Sequence, residues 1–325
     1  MNMPIPYIDE ETSSRGRSSL IGSQKSSRSV RSSSCTPGSS CKPNAVGPYE
    51  PKDGETKRDV DLLRGLDFLW LELTSKCNLH CVHCYADSGP SLPLVQRMAY
   101  ADWLRVLAEA ARLGCRKVQF IGGEPTIYPQ LPELMGEARH LGYEFVEVFT
   151  NGTVFAERIK QAFLAHKIHI AFSVYSSTAV IHDSITLRQG SFEKTKANIQ
   201  WALRAGLTVR VAIIEMEENA SEVGKTQKDL EELGVREIQV DRVRGIGRGS
   251  ANRETELHGE DLCGRCWEGK LCVTSEGQMF PCVFSRRWLV GTVQESIENV
   301  VQGAPLLSFR SNLQSKAGAQ GIALA

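Results

Sequence analysis

The chain has 325 residues, 41% of them hydrophobic and 23% charged, and its acidic and basic side chains balance to a formal charge of zero. That length accommodates one large domain with a small one appended, and the neutral balance removes any overall electrostatic case for nucleic acid or a membrane surface as the main partner. No apolar run approaches the length of a membrane span and the N-terminus lacks a secretory hydrophobic region, so the cytoplasm is the expected compartment.

Residues 1–60 form the first segment. Within it, 13–42 is serine-rich, basic and almost free of large apolar residues. Such a stretch buries too little surface to offset its ordering entropy and is expected to be disordered. Its Arg and Ser content has a slight likeness to an organelle transit peptide, and a flexible tail or an over-called start codon is the preferred reading. Cys35 and Cys41 fall here and receive no role.

From about residue 62 the texture changes. Apolar, β-prone runs at 68–73, 118–121, 144–149, 168–174, 207–214 and 237–240 alternate with amphipathic stretches such as 101–113, 192–205 and 221–233. Gly114, Gly142, Gly206 and Gly234 each follow a helical pattern and lead into a strand, a repeated helix stop. The result is about six βα units, the pattern of an α/β parallel sheet. A Rossmann-type open sheet and a full or partial barrel both fit this order. In either, chemistry belongs in the loops at the C-terminal ends of the strands.

The ten cysteines cluster: three in 77–84 and four in 263–282, with Cys115 placed as a core residue. Without a signal peptide, tight clusters point to metal rather than to the disulfide framework of a small secreted domain. The first cluster follows the first strand directly, as Cys77-x3-Cys81-x2-Cys84. Three thiolates on a short loop can cap three corners of a four-iron cube and leave one iron open. Zinc held by these cysteines with His80 or His83 is the alternative, although structural zinc pairs are usually separated by a longer loop.

The second strand runs into Gly122-Gly123-Glu124-Pro125-Thr126. With the cysteine spacing before it, this order resembles the radical S-adenosylmethionine (AdoMet) superfamily over roughly residues 66–250. The resemblance implies a partial (β/α)6 TIM-like barrel in which Cys77, Cys81 and Cys84 hold a [4Fe-4S] cluster with an open iron. By the same resemblance, AdoMet would chelate that iron through its amino and carboxylate groups. Gly122, Gly123, Glu124 and Pro125 would hold the AdoMet amino group, the glycines by close backbone approach and the carboxylate by accepting hydrogen bonds. His83 takes the family's place for a ring beside the adenine, Tyr85 that of an aromatic after the third cysteine. Asn151 and Ser173 match positions that line the ribose and methionine parts. A flavodoxin or ferredoxin is the implied electron donor.

The second cluster is Cys263-x2-Cys266 followed by Cys272 and Cys282, with 271–274 and 278–280 reading as a hairpin turned at Glu276-Gly277. Four soft ligands suit an auxiliary iron–sulfur cluster or a tetrahedral zinc, the former favoured by the redox site upstream. The order Cys266…Gly277…Pro281-Cys282 resembles the opening of the SPASM extension, or its shorter relative called twitch. No cysteine follows Cys282, which implies a twitch-sized site or a truncated C-terminus. Residues 251–325 are assigned to this extension.

Between the two, Asp241 to Gly249 is rich in Gly and Arg. It opens no helix, so the dinucleotide fingerprint fails on context. Its glycines are read as close backbone approach to AdoMet, its arginines as contacts to a substrate carboxylate or phosphate, and a solvated loop is an equal reading. Family analogy points to maturation of a peptide natural product. A small-molecule dehydrogenase or epimerase acting on a sugar or aminocyclitol is the second reading, and a non-catalytic iron–sulfur or zinc protein the third.

Overall fold

The computed structural model describes residues 65–250, 262 and 265–319. The serine-rich segment, Cys35, Cys41 and Cys263 lie outside the described residues.

All six expected strands form: β1 (Phe68–Glu72), β2 (Lys117–Ile121), β3 (Phe145–Thr150), β4 (His169–Ser173), β5 (Val209–Glu215) and β6 (Glu237–Arg242). They pair in parallel in sequence order. A doubly wound sheet needs a reversal of strand order at a switch point. Strands β1 to β6 have none, as in the partial barrel.

Helices α1 (Tyr100–Arg112), α2 (Leu131–His140), α3 (Glu157–Ala165), α4 (Ala179–Thr186), α5 (Ser191–Arg204) and α6 (Val223–Leu233) join the strands. In α1 the buried positions Trp103, Val106, Leu107, Ala110 and Ala111 recur at helical spacing, and the Ala99 N–H is capped by the Asp102 carboxylate at 2.9 Å. They pack on alternate strand residues, among them Leu69, Leu71, Val118, Phe120, Val146, Val148, Ile170, Phe172 and Val211. Each such side chain fully withdrawn from water contributes about 1.5–3 kcal/mol. The four glycine stops all adopt positive φ, between 71° and 107°.

The alternate residues of the same strands face the other way, and the sequence does not read as apolar there. Glu147 of β3 is buried and accepts two bonds of 2.7 Å from Arg210 of β5, and Gln119 of β2 donates to it as well. These three meet on the face of the sheet opposite the helix-packed core.

The sheet does not stop at β1. Strand β7 (Lys270–Val273) pairs in parallel with β1, and β8 (Gln278–Phe280) and β9 (Gly291–Thr292) follow antiparallel. The hairpin turned at Gly277 is as expected, but its attachment to the barrel edge is new. Helices α7 (Ile297–Val301) and α8 (Ala304–Ala319) complete the described chain. From α8, buried Arg310 donates to the carbonyls of Gly65 and Lys270 at 2.9 Å each, holding the start of the barrel to the start of β7.

Candidate active site

The first cysteine loop leaves β1 and is tied down on every side. Cys77 N–H donates to Gly89 O at 3.1 Å, His80 N–H to Thr186 O at 3.2 Å and Val82 N–H to Ile185 O at 3.0 Å. Lys76 Nζ reaches the carbonyls of Pro90 and Leu92. Arg248 clamps the far side. Its Nε donates to Cys81 O at 2.8 Å, its Nη2 to Ser88 O at 2.7 Å and its backbone N–H to Cys84 O at 3.0 Å, while Nη1 pairs with Asp87 at 2.8 Å.

A Cβ on Gly247 would overlap the Cys84 carbonyl. The Asp241 to Gly249 loop therefore uses a glycine and an arginine on the cysteine loop itself, which sequence reading had turned toward cofactor and substrate. Its other inward arginine, Arg244, is paired with Asp241 at 2.5 and 2.7 Å.

Gly122 and Gly123 make a similar approach. Gly123 N–H donates to Thr74 O at 2.6 Å and Glu124 N–H to Lys76 O at 2.9 Å, and a Cβ on Gly123 would overlap the Lys76 carbonyl. These glycines let one loop lie against another, where ligand approach was expected of them. Pro125 opens a single 3-10 turn and is buried. The Glu124 carboxylate is fully buried, and protein donors surround it. Oε1 accepts from Thr126 N–H at 3.0 Å, Thr126 Oγ1 at 2.6 Å and Thr150 Oγ1 at 2.6 Å, and Oε2 from Asn151 N–H at 2.8 Å. Burial raises its pKa, and these hydrogen bonds oppose the rise.

Asn151 joins this loop to the cysteines. Its Nδ2 lies 3.7 Å from Cys77 Sγ and 2.9 Å from Asn78 Oδ1, and its Oδ1 accepts from Thr153. Just beyond β4, Tyr175 is buried, and burial pushes its hydroxyl well above the usual range, with the Cys81 thiol adding to the rise. His83 stacks edge-on against Tyr175 at 4.8 Å, and its buried Nδ1 has no hydrogen-bond partner. Burial holds its imidazole down to about 4, so it is neutral at pH 7. Thus Cys77, Cys81, Cys84, His83, Glu124, Asn151 and Ser173 are gathered around the C-terminal ends of β1–β4. Sequence reading had not singled out Tyr175 or Thr150, and it had read the loop arginines, Arg248 among them, as contacts to substrate. Tyr175 and Thr150 are each one or two residues from a position that it had.

Tyr85 turns away from this group. Its hydroxyl donates to Glu72 Oε1 at 3.2 Å, and its ring meets Phe284 edge-on at 5.4 Å. That places it toward the second cysteine set. There Cys272 lies on β7 opposite Phe280, and Cys282 follows β8. Cys266 Sγ is 3.0 Å from Cys282 Sγ in an apolar cluster with Leu262, Phe309, Trp70 and Phe284. Three of the four cysteines expected at this site are thus buried in one region.

Among the described residues no three His, Cys, Asp or Glu side chains are drawn together as around a single ion, so fit to a metal group is judged on donor chemistry. Burial raises the Cys77 thiol, with Glu124 adding to the effect, and raises Cys81 to about 12. Burial raises the core Cys115 thiol to about 12 as well, so the fit rests on the donor set itself: three soft thiols, Cys77, Cys81 and Cys84, on one short loop. The orphaned Nδ1 of His83 beside them suits a bound organic ligand.

A parallel barrel with three cysteines on the β1 loop and a Gly-Gly-Glu loop against them defines a class. Residues 71–230 match the family model described as Radical SAM superfamily, and the chain belongs to that superfamily. The subtilosin biosynthesis protein AlbA of Bacillus subtilis is 26% identical over 270 residues, covering 73% of this chain and 59% of AlbA. A PqqA peptide cyclase of Methylocella silvestris is 31% identical over 189 residues, covering 57% of this chain and 49% of the cyclase. The chain thus spans half to three-fifths of these relatives. The fold is that of Streptococcus suis SuiB, solved bound to its precursor peptide SuiA, with a TM-score of 0.64 at 15% identity over 78% of this chain and 69% of SuiB. It is also that of anSMEcpe solved with AdoMet and a peptide, with a TM-score of 0.59 at 17% identity over 75% of this chain and 82% of anSMEcpe.

Proposed function

We propose that the chain is a radical AdoMet enzyme that modifies a ribosomally made peptide. The observation that carries the chemistry is the Asn151 junction, where one residue touches both Cys77 and Glu124 and so locks the cysteine loop to the Gly-Gly-Glu loop. The peptide substrate rests on the relatives: a PqqA peptide cyclase, the bacteriocin subtilosin biosynthesis protein AlbA, and the sporulation killing factor maturation protein SkfB, 28% identical over 182 residues.

On this reading Cys77, Cys81 and Cys84 hold three irons of a [4Fe-4S] cluster, and AdoMet takes the fourth. When bound, and given one electron by an outside donor such as a flavodoxin or ferredoxin, these two would supply methionine and a 5′-deoxyadenosyl radical able to take hydrogen from substrate. The protein's part is positioning. Arg248 and the carbonyls it binds fix the loop, and Asn151 donates toward the Cys77 sulfur. Neutral His83 offers a flat ring and an open acceptor or donor at Nδ1. Cys266, Cys272 and Cys282, joined by Cys263, would hold an auxiliary iron–sulfur cluster of the SPASM or twitch kind. Among the described residues no helix is long and apolar enough to cross a membrane, and a reducing cytoplasm suits a chain with ten cysteines.

Anaerobic reconstitution tests the reading. About eight irons and eight sulfides per chain are expected for two four-iron clusters, and about four would remove the auxiliary one. The reduced, loaded chain is expected to cleave AdoMet to 5′-deoxyadenosine. A short peptide encoded beside the gene and labelled with deuterium should transfer label to that product. An iron-loaded chain that leaves AdoMet intact overturns the enzyme reading. Cleavage without label transfer from any neighbouring peptide overturns the substrate.

A further inference from the structure

Glu72 and Arg286 form a buried ion pair between the two cysteine sets. Glu72 is the last residue of β1, where the first cysteine loop departs, and Arg286 lies four residues beyond Cys282. Arg286 Nη2 donates to Glu72 Oε1, and the same oxygen accepts from Tyr85, the residue after Cys84. The guanidinium is sandwiched between Tyr85, 5.7 Å from its ring, and Phe280, 5.3 Å from its ring. Phe280 is the cross-strand partner of Cys272, so the guanidinium lies on the strand pair that carries that cysteine.

Stability alone gives little reason for such a pair. Taking both charges out of water costs about as much as their attraction returns, and well-packed apolar side chains often do as well or better. Side-chain exposure is only 20% for Arg286 and 8% for Glu72, so screening by solvent does little. What this arrangement does provide is a fixed cation beside one cysteine, with a fixed anion behind it. Charge and hydrogen bonds next to ligand sulfur set the potential of an iron–sulfur cluster.

We propose that Glu72 and Arg286 tune the reduction potential of a cluster held by Cys266, Cys272 and Cys282, and that Tyr85 ties this pair to the radical-cluster loop. This rests on the auxiliary-cluster reading above. Arg286 favours the reduced, more negative cluster and Glu72 opposes it, so removing either charge shifts the midpoint in opposite directions.

The experiment is a potentiometric titration of the reconstituted full chain followed by electron paramagnetic resonance. Adding AdoMet identifies the radical cluster by the change in its signal, leaving the other as the auxiliary one. For that AdoMet-insensitive signal, Arg286→Met is expected to move the midpoint negative and Glu72→Gln to move it positive. The double variant should return most of the way to the parent value. Arg286→Lys, which keeps the charge, should move it least.

A parent chain without an AdoMet-insensitive signal overturns the auxiliary-cluster reading and the pair's role with it. A parent signal whose midpoint is unmoved in both variants, or moved the same way in both, overturns the pair's role alone. Should Arg286→Met fail to hold iron, Glu72→Gln decides: no positive shift overturns the proposal.

Discussion

The Asn151 carboxamide lies 3.7 Å from the Cys77 sulfur, and its backbone N–H donates to Glu124 at 2.8 Å. A single residue at the end of β3 therefore bridges the cysteine loop and the Gly-Gly-Glu loop, beside the direct backbone bonds of Gly123 to Thr74 and Glu124 to Lys76. Its Oδ1 is held by Thr153 and its carbonyl by Thr195 at 2.7 Å, so the side chain has little freedom to turn.

Asn151→Ala removes the donor to Cys77 and to Asn78 while leaving the backbone bond to Glu124. Loss of a partner one step removed from a metal ligand typically costs 10–100-fold in affinity or activity. We expect a folded chain whose AdoMet cleavage falls by roughly that factor. Cleavage within about twofold of the parent would mean that the 3.7 Å contact has no consequence.

Gly123→Ala and Gly142→Ala separate close packing from backbone conformation. A Cβ at 123 overlaps the Lys76 carbonyl, so one of two hydrogen-bonded loops must move, at roughly 1–3 kcal/mol or more. A Cβ at 142 meets nothing within 4 Å, and the cost is only that of its φ of 85°, about 1–2 kcal/mol. Thermal unfolding of both, with iron retention, is the check. Gly123→Ala should lose iron as well as stability, and Gly142→Ala only stability.

Arg248 is the clamp on the outer side of the cysteine loop, with its side chain only 18% exposed. Charge-assisted hydrogen bonds contribute about 1.5–3 kcal/mol each, and two of its bonds go to carbonyls of the loop. Arg248→Ala should raise amide exchange across 77–89 and speed iron loss to a chelator. Arg248→Lys should rescue only in part, because a single ammonium cannot hold the geometry of a planar fork. Exchange unchanged in the alanine variant would show that the loop holds without it.

Much of this was open to reading along the chain. Six strands, four glycine stops and the 270–280 hairpin are local patterns of period two, period 3.6 and turn chemistry, and each lies where those patterns put it. The cysteine spacing is likewise local. Pairing of β7 with β1 is not, because a parallel partner some 200 residues away leaves no mark on either strand's own pattern. The same holds for Glu72 with Arg286, 214 residues apart, and for Arg248 with Cys81, 167 apart. Each reads in isolation as one more charged residue. The glycines of 122–123 and 247 were recognisable as close-approach residues, but what they approach is set by the fold.

His182 carries a pH dependence whose sign follows from its burial. Its Nδ1 accepts the Tyr175 N–H at 3.3 Å, which requires the neutral ring. Burial lowers the imidazole from 6.5 to about 4, with Asp183 opposing. Between those values the unfolded chain binds a proton at this position and the folded chain does not. Stability is therefore full above about pH 6.5, declines as pH falls toward 4 and levels off below, a loss of roughly 3 kcal/mol for a displacement of that size. His182→Gln keeps an acceptor for Tyr175 and cannot titrate. Urea unfolding of both chains between pH 7 and 4.5, with thiols kept reduced, should show a shallower decline in the variant. Equal slopes would assign the acid sensitivity to other groups, and His182 would then be a buried ring with no part in it.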